Sequence, residues 1–452
     1  MKIAIRGQAA YVEVIRELLS PWKFSFSTFD EADLVIVYGE KPLETKKTLV
    51  IPSDSGDFMK WIRDGKLRVS RKRGERVFAA ASSQMVLTIT PQMLQFCDGL
   101  VKSAPRDTTP TATELNENLI LLTLDIVKEY YRILDETMNA KTSTVYRLLT
   151  GSPIPYTLAP KRLRDLLMRG HSGQESLTFC DKLPLDALRF ILVGAIETLS
   201  EKKLQRKTWS GKRYACLITH DVETRSGLQK ARGIKKLEDN YNVPSAWYIP
   251  SKQYSLDHEI VKELANYGEI GAHDTWHDGE LIRLPEQKLV KRLREAKVAL
   301  EKIIKCSVEG FRAPLLQHNP TILRGLNEAG YIYDTSIPTW EPKHPRTMRP
   351  HGVGTTYPLF FDTVTEIPLS TVQDHQLLYT LGLEPKEVIA KWFSMMAVIK
   401  ELGGCCVFLS HPEYKLFDRS NLTVYEELLN VITSDEQVWL GTPKQLADEA
   451  GK

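Results

Sequence analysis

Short apolar segments typical of β-strands alternate with longer amphipathic segments from Tyr214 to the end of the chain. In the longer segments, apolar residues recur at three- and four-residue spacing, which predicts helices. Alternation sustained over about 240 residues favours a parallel (β/α) barrel or a doubly wound sheet. In both folds, functional side chains lie at the carboxyl ends of the strands. The predicted strands are Tyr214–Thr219, Ser245–Ile249, Glu269–Ala272, Val308–Phe311, Thr365–Pro368, Cys406–Leu409 and Val438–Leu440, and the predicted helices are Leu228–Tyr241, His258–Tyr267, Pro285–Ile304, Asn319–Ala329 and Pro385–Leu402.

The length of the chain predicts more than one domain, because 452 residues exceed what a single hydrophobic core usually organises. Residues 1–104 are predicted to form a small α/β domain of unknown role. Residues 105–210 are predicted to form a mainly helical domain or linker, since the apolar periodicity is helical through Leu115–Leu134 and Leu185–Leu199. Residues 211–452 contain the strand and helix alternation and are predicted to form the barrel.

Charge and composition exclude several classes of protein. The formal net charge of +3 is small for this length, which argues against nucleic acid or an anionic membrane as the main partner. No segment approaches the roughly 20 apolar residues of a membrane helix, and the N-terminus lacks the apolar run of a secretory signal. The 6 cysteines form no C-x-x-C pair, which indicates reduced thiols. We therefore expect a cytoplasmic protein without a transmembrane segment or a nucleic-acid partner, as a monomer or an oligomer.

One local exception to this balanced charge is a basic run within residues 66–76. Such a run can contact a phosphate or an acidic headgroup. The alternative, a solvated hairpin face, is the interpretation we favour.

Two carboxylates follow the first strand of the barrel pattern. Asp221 and Glu223 are two residues apart, and in an extended chain such residues project to the same side. They are therefore able to act on one centre, one as a metal ligand and the other as a base. The alternative is that a carboxylate here caps the following helix.

Two histidines follow the third predicted strand. His273 and His277 are four residues apart, a spacing that places both imidazoles on one face of a helical turn, within reach of one metal ion. The pair alone is weak evidence, and its position directly after a strand strengthens it.

Two further strand ends carry residues that suit catalysis. Arg312 is a fixed cation able to orient a carboxylate through a bidentate contact. His411 follows the sixth strand and is able to act as a general acid. Each residue alone is more often a surface arginine or a structural histidine. Their joint occurrence with the other strand-end residues favours a catalytic site.

Together these motifs resemble the polysaccharide deacetylase family, the NodB-homology group of carbohydrate esterases, in a variant subgroup with a D-x-E first motif. The resemblance implies a distorted (β/α) barrel that binds a divalent metal, usually Zn²⁺, with Co²⁺, Mn²⁺ or Ni²⁺ as alternatives. It implies that Glu223, His273 and His277 are the metal ligands and that Asp221 is the catalytic base. Glutamate at the ligand position is a departure from the family pattern, so Asp221 as the metal carboxylate stays an alternative.

The resemblance also assigns the remaining catalytic roles, with Arg312 steadying the base and His411 acting as the acid. It extends from about Tyr214 to Glu449 and explains nothing N-terminal of that range. The usual fourth motif, which ends in Asp-Trp, is not recognisable, whereas Gly330–Ser336 and Glu366–Pro368 are similar to the variant subgroup. The residues that we expect to contact substrate are Trp276, Pro314, Leu315, Asp334 and Trp340.

The reaction implied by the resemblance is metal-assisted removal of an N-acyl group, first of all N-acetyl, from a sugar, a sugar conjugate or a sugar precursor. The Pro-rich loop Pro338–Pro358, which includes Arg346, is expected either to border the pocket and select substrate or to pack against the N-terminal domains. One alternative function is hydrolysis of a non-sugar amide, such as a formamide or a cyclic ureide. Another is a catalytically silent carbohydrate-binding or scaffold protein, which would have no need of stoichiometric metal.

Overall fold

The computed structural model describes residues 1–39, 46–51, 78–80, 86–88, 112–116, 118–122, 125–138, 179–266, 268–343 and 350–451. The chain divides into two compact units. The first unit contains Met1–Glu136 and Cys180–Lys207, and the second contains Thr137–Phe179 and Thr208–Lys452. The three-domain division stays a prediction, and the basic run at residues 66–76 lies outside the described residues.

The first unit contains a six-stranded sheet with strand order β2-β1-β3-β4-β8-β7. All of its neighbouring strands pair in parallel except β7 and β8, which are antiparallel. Two other strands, β5 and β6, form a separate antiparallel ladder. The strands are β1 (Lys2–Arg6), β2 (Ser25–Phe26), β3 (Leu34–Tyr38), β4 (Thr48–Ile51), β5 (Phe78–Ala80), β6 (Val86–Thr88), β7 (Ala112–Asn116) and β8 (Leu119–Leu122).

Among the described residues before Thr208, the α-helices are α1 (Ala9–Leu19), α2 (Ile126–Met138) and α3 (Pro184–Ser200). The predicted helix Leu115–Leu134 is wrong in its first part, because β7 and β8 occupy that sequence. Leu119, Ile120 and Leu121 pair with β4, so an apolar run that also suits a helix is used to extend the sheet.

The second unit is built around a nine-stranded sheet with strand order β14-β15-β13-β12-β11-β10-β9-β16, in which β17 pairs with β9. All of its strand pairs are parallel except β14 with β15. The strands are β9 (Tyr214–Asp221), β10 (Ser245–Ile249), β11 (Glu269–Ala272), β12 (Gly310–Phe311), β13 (Tyr333–Asp334), β14 (Leu359–Phe361), β15 (Val364–Glu366), β16 (Cys405–Ser410) and β17 (Val438–Leu440). The helices are α4 (Arg225–Asn240), α5 (His258–Ala265), α6 (Glu286–Ile304), α7 (Pro320–Ala329), α8 (Pro385–Leu402), α9 (Leu422–Ser434) and α10 (Pro443–Ala450).

Hydrogen bonds between β16 and the segment that follows β15 join opposite ends of the sheet, so that it closes towards a barrel. Val407 in β16 donates its backbone N–H to Ser370 Oγ at 2.8 Å, and its carbonyl accepts from the N–H of Thr371 at 3.3 Å. Ser370 and Thr371 follow β15 in the chain, so these bonds join β16 to the far side of the sheet. The predicted fold class, an α/β protein with a distorted (β/α) barrel, is confirmed.

Capping residues set where the helices of the second unit begin and end. The Thr224 side chain accepts a hydrogen bond from the N–H of Gly227 at 3.0 Å, and Asn319 accepts one from Ile322 at 2.7 Å. Two helices end at glycines with left-handed backbone, Gly330 with φ 80° and Gly403 with φ 74°. Among the described residues, no helix combines the length and the hydrophobicity needed to cross a bilayer.

Glycines in two barrel strands make room for buried tyrosine rings. A Cβ atom at Gly271 would lie 2.4 Å from ring atoms of Tyr248, and one at Gly310 would lie 2.0 Å from ring atoms of Tyr333. The two tyrosine hydroxyls are hydrogen-bonded to each other at 3.0 Å. Two large tyrosine rings therefore occupy the interior of the barrel, and each of them requires a glycine at the facing position of the neighbouring strand.

We predict that Gly271→Ala lowers the free energy of unfolding by about 1–3 kcal/mol, because the added methyl group forces the Tyr248 ring out of its place. Urea denaturation followed by circular dichroism measures this change. Gly233→Ala in α4 is the matched control, since no described atom lies within 4 Å of its added Cβ. Removing a helix-interior glycine should raise stability by up to about 1 kcal/mol. Equal effects of the two variants would contradict the close packing.

Candidate active site

The strand-end side chains meet at the carboxyl edge of the barrel sheet. Asp221 is the last residue of β9, and Glu223 follows it by two positions. His273 follows β11, Arg312 follows β12 and His411 follows β16 directly. Because these strands run in parallel, their ends lie at one edge, where sequence analysis places the functional side chains.

Glu223, His273 and His277 form a group that suits a metal ion. One ligand atom from each residue lies within 4.8 Å of the others. Glu223 Oε1 lies 2.9 Å from His277 Nε2 and 3.9 Å from His273 Nε2. Both Nε2 atoms are buried, and the acceptors near them are carboxylate oxygens of Glu223 and Asp221. Two imidazole nitrogens and a carboxylate oxygen are a donor set that Zn²⁺ and similar divalent ions accept, so these residues fit the implied metal.

The loop that carries the two histidines is not helical, so the predicted helical turn at His273–His277 is wrong. Asp274 has left-handed backbone with φ 66°, which turns the chain directly after His273. Its carboxylate accepts hydrogen bonds from Arg292 in α6, at 2.8 Å from Nε and 2.6 Å from Nη2. Arg292 also donates to the carbonyl of Trp276 at 2.9 Å. A bidentate ion pair therefore holds the loop and brings the two imidazole rings within 5.4 Å of each other.

Arg312 ties one oxygen of Asp221 in place. Its Nη1 donates to Asp221 Oδ1 at 2.9 Å and to Thr219 Oγ1 at 3.0 Å. The other carboxylate oxygen, Oδ2, lies 3.8 Å from His273 Nε2. Asp221 is thus paired with an arginine beside the metal-type group, whereas Glu223 is as near as Asp221 to His273 Nε2 and also lies 2.9 Å from His277 Nε2. This arrangement favours Glu223 as the metal carboxylate.

His411 is held by a carboxylate that sequence analysis missed. Its Nδ1 lies 2.6 Å from Asp374 Oδ1, and its backbone N–H donates to Asp374 Oδ2 at 2.8 Å. Its Nε2 lies 3.6 Å from Glu223 Oε1. Burial by itself would lower the pKa of His411, but the charge and hydrogen bond of Asp374, together with Glu223, raise this pKa well above the usual range. These anions therefore favour the protonated form of the imidazole.

A second missed residue is Glu413, two positions after His411. Both of its carboxylate oxygens are buried, and neither has a hydrogen-bond partner among the described residues. Burial and the negative charge of Glu223 raise the pKa of Glu413 to about 7. Glu413 lies directly after the strand end that carries His411, but a glutamate there has no spacing that marks it as a site residue.

The predicted substrate contacts differ in their exposure. Trp276 is 46% exposed, and Leu315 is half-buried with left-handed backbone, φ 57° and ψ 23°. Pro314 is buried, and Trp340 is only 8% exposed. Asp334 has no exposed surface, so a substrate contact with it has no support in the structure. The other four contacts stay predictions.

Part of the loop Pro338–Pro358 lies outside the described residues, namely 344–349, which include Arg346. In the described part, the backbones of Glu341 and His351 form a two-way pair with N···O distances of 2.8 and 3.1 Å. The role of this loop in substrate selection stays a prediction.

Residues 218–333 match the family model described as polysaccharide deacetylase. This match confirms the resemblance drawn from the motifs over that segment, and membership of the D-x-E subgroup stays a prediction. A search of curated proteins found no match to the chain.

Several solved structures are similar to this chain at low sequence identity. A protein from Mycobacterium smegmatis, described as a polysaccharide deacetylase, is 21% identical with a TM-score of 0.44, over 54% of this chain and 93% of that chain. One from Pseudomonas aeruginosa PAO1, with the same description, is 15% identical with a TM-score of 0.44, over 53% and 92%. The Puue allantoinase is 15% identical with a TM-score of 0.42, over 53% and 91%.

We predict that His277→Ala weakens Zn²⁺ binding by more than the roughly 10- to 100-fold that loss of an outer-shell partner costs, because it removes a direct ligand. Calorimetric titration of metal-free protein with Zn²⁺ measures the affinity. His258→Ala is the control, since His258 is an exposed histidine at the start of α5. Equal Zn²⁺ affinity of the two variants would contradict the proposed ligand set.

Proposed function

We propose that the barrel unit is a metal-dependent amide hydrolase that removes an N-acyl group, first of all N-acetyl, from a sugar or sugar conjugate. One observation carries this proposal. The metal-type group lies between an aspartate paired with arginine and a histidine paired with aspartate, which is the arrangement that hydrolysis with separate base and acid requires. The polysaccharide deacetylase match of residues 218–333 supports the same reaction class. The cytoplasmic location and a sugar precursor as substrate are part of this proposal.

Glu223, His273 and His277 would hold the metal ion. When bound, a divalent ion lowers the pKa of a water molecule and polarises the acyl oxygen of the substrate. Three protein ligands leave positions open for both. The hydrogen bond between His273 Nδ1 and the carbonyl of Arg312, 2.8 Å long, fixes the tautomer that leaves Nε2 free to bind.

Asp221 is the proposed base. Arg312 holds its Oδ1, which leaves Oδ2 on the side of His273 to accept the proton of the attacking water. The guanidinium also lies over the buried ring of Tyr248, 4.1 Å from the centroid, and this contact further restricts the position of Arg312 and of the base that it binds. The base is therefore aimed before substrate binds.

His411 is the proposed acid. Asp374 binds its Nδ1, so the proton on Nε2 faces the site and is available to the departing amine. The charge of Asp374 raises the pKa of His411 and so favours the protonated form that a general acid needs. A backbone N–H near Leu315 is proposed to stabilise the developing oxyanion, because Leu315 follows Arg312 by three positions at the carboxyl end of β12.

The substrate class is tested by product release from a panel. Purified protein is incubated with N-acetylated monosaccharides, nucleotide sugars and oligosaccharides, and with formamide and cyclic ureide substrates, with and without a chelator. Acetate release that the chelator abolishes and Zn²⁺ restores supports the proposal. Turnover of only the formamide or ureide would replace the sugar with a non-sugar amide. Protein without stoichiometric metal and without turnover would identify a silent binding protein.

We predict that Asp221→Asn and His411→Ala each lower kcat by about 10²- to 10⁴-fold, because each removes a proton-transfer group. Both variants should keep Zn²⁺ affinity, which separates loss of proton transfer from loss of metal. Steady-state kinetics on the best substrate of the panel measures the change. Wild-type kcat in either variant would remove that residue from the mechanism.

We also predict that Asp374→Asn moves the alkaline limb of the kcat profile to lower pH. The negative charge of Asp374 raises the pKa of His411, and an acid must be protonated to act, so the rate falls as pH rises through this pKa. Without that charge the fall begins earlier. Asp418→Asn, at a half-exposed surface ion pair with Lys230, is the control. An unchanged alkaline limb in Asp374→Asn would contradict the role of His411.

A further inference from the structure

Two buried acids face each other beneath the site, in neighbouring strands. Asp334 ends β13, Glu366 ends β15, and the two are direct partners in the register of this parallel pair. Both have 0% exposure. Two ionised carboxylates side by side in a dry interior would repel each other and would also lose their hydration.

One oxygen of each acid is already satisfied by the protein. Asp334 Oδ1 accepts a hydrogen bond from Ser336 Oγ at 2.6 Å, and Glu366 Oε1 accepts one from the N–H of Ile337 at 2.9 Å. The remaining oxygens, Asp334 Oδ2 and Glu366 Oε2, are buried without a partner among the described residues. The two carboxyl groups are within hydrogen-bonding reach of each other, so a single proton between them satisfies both at once.

We propose that Asp334 and Glu366 share one proton, held by Glu366, and that this acid–carboxylate pair is the positioning element that aims Arg312 at Asp221. The positioning role rests on the proposed function, whereas the sharing of the proton does not.

Charge and burial around the pair agree with one proton. Burial raises the pKa of Asp334 to about 6, and burial and the charge of Asp334 raise the pKa of Glu366 well above its usual range. Among the described residues, the charged side chain that acts on both acids from outside is Arg312, which lowers both pKa values. One negative charge on the pair is thus favoured by the guanidinium, and a second one is opposed by the first.

The pair reaches Arg312 through the two residues that follow Asp334. The carbonyl of Thr335 accepts from Arg312 Nε at 3.0 Å, and Thr335 Oγ1 accepts from Nη2 at 3.2 Å. Ser336 Oγ accepts from the N–H of Ala313 at 2.8 Å, where the turn that contains Leu315 begins. Asp334 is hydrogen-bonded to Ser336, and Glu366 is hydrogen-bonded to Ile337. The pair therefore fixes the two residues that follow Thr335, the residue that binds the guanidinium.

Infrared spectroscopy tests the shared proton without any enzyme assay. At neutral pH, the difference spectrum of wild type minus Glu366→Gln should contain the carbonyl stretching band of a buried protonated carboxylic acid, with the shift in D₂O that such a group shows. Glu366→Gln is isosteric, and its amide N–H replaces the shared proton. A difference spectrum that contains only carboxylate bands would overturn the proposal.

The pH dependence of stability is a second test that needs no substrate. A folded-state pKa above the unfolded value contributes stability that is full below about pH 4 and is lost as pH rises through the folded pKa, which is about 6 for Asp334 and well above the usual range for Glu366, the proposed holder of the proton. The urea midpoint of wild type should therefore fall relative to that of the double variant Asp334→Asn/Glu366→Gln as pH rises across this window. A constant difference would overturn the shared proton.

Kinetics tests the positioning role. Glu366→Gln should keep most of the wild-type kcat, whereas Glu366→Ala should lower kcat by about 10- to 100-fold with unchanged KM and Zn²⁺ content, as loss of a supporting partner does. Equal kcat in Glu366→Ala and wild type would overturn the positioning role. If the protein hydrolyses no amide, the proposed function fails, while the spectra and the stability profile still decide whether the proton is shared.

Discussion

The buried guanidinium of Arg312 is the interaction on which the site depends. The guanidinium donates to Thr219 and Asp221 at the end of β9 and to Thr335 after β13. The backbone carbonyl of Arg312 accepts from His273 after β11. Removing a charge from water is costly unless partners with good geometry surround it. The ends of three strands must therefore be in register before this residue is satisfied, and the same register assembles the candidate site. A barrel that lacked the contact with Asp221 would leave the guanidinium buried without this carboxylate as its partner.

The site separates two environments for proton transfer. On one side, Asp221 is paired with a permanent cation, which suits a group that has to accept a proton. On the other side, His411 contacts Asp374 and lies near Glu223, and these anions raise the pKa of the imidazole. Glu413 adds a further buried acid to this side. Such opposite surroundings are how one pocket provides a base and an acid at the same pH.

Local sequence patterns predicted most of the strands and helices of the barrel unit. The strands Ser245–Ile249, Glu269–Ala272 and Val438–Leu440 have the predicted bounds, because a short apolar run after a helix has few other conformations in an α/β chain. The prediction failed at Leu115–Leu134, where the apolar run 119–122 pairs with β4 instead of continuing a helix. It failed also at His273–His277, because the spacing of two histidines does not reveal the left-handed turn at Asp274.

The sequence by itself determined which chemical groups stand at the strand ends, because hydrophobic periodicity and residue type are local properties. It therefore placed Asp221, Glu223, His273, Arg312 and His411 at or just after strand ends, whereas their catalytic and metal-binding roles stay proposals. Only the tertiary structure decided which partners these groups meet. The contacts of His411 with Asp374, of Asp274 with Arg292 and of Asp334 with Glu366 join residues on different elements, 18 to 37 positions apart for the first two. Their pairing follows from strand register and helix packing, which no local pattern encodes.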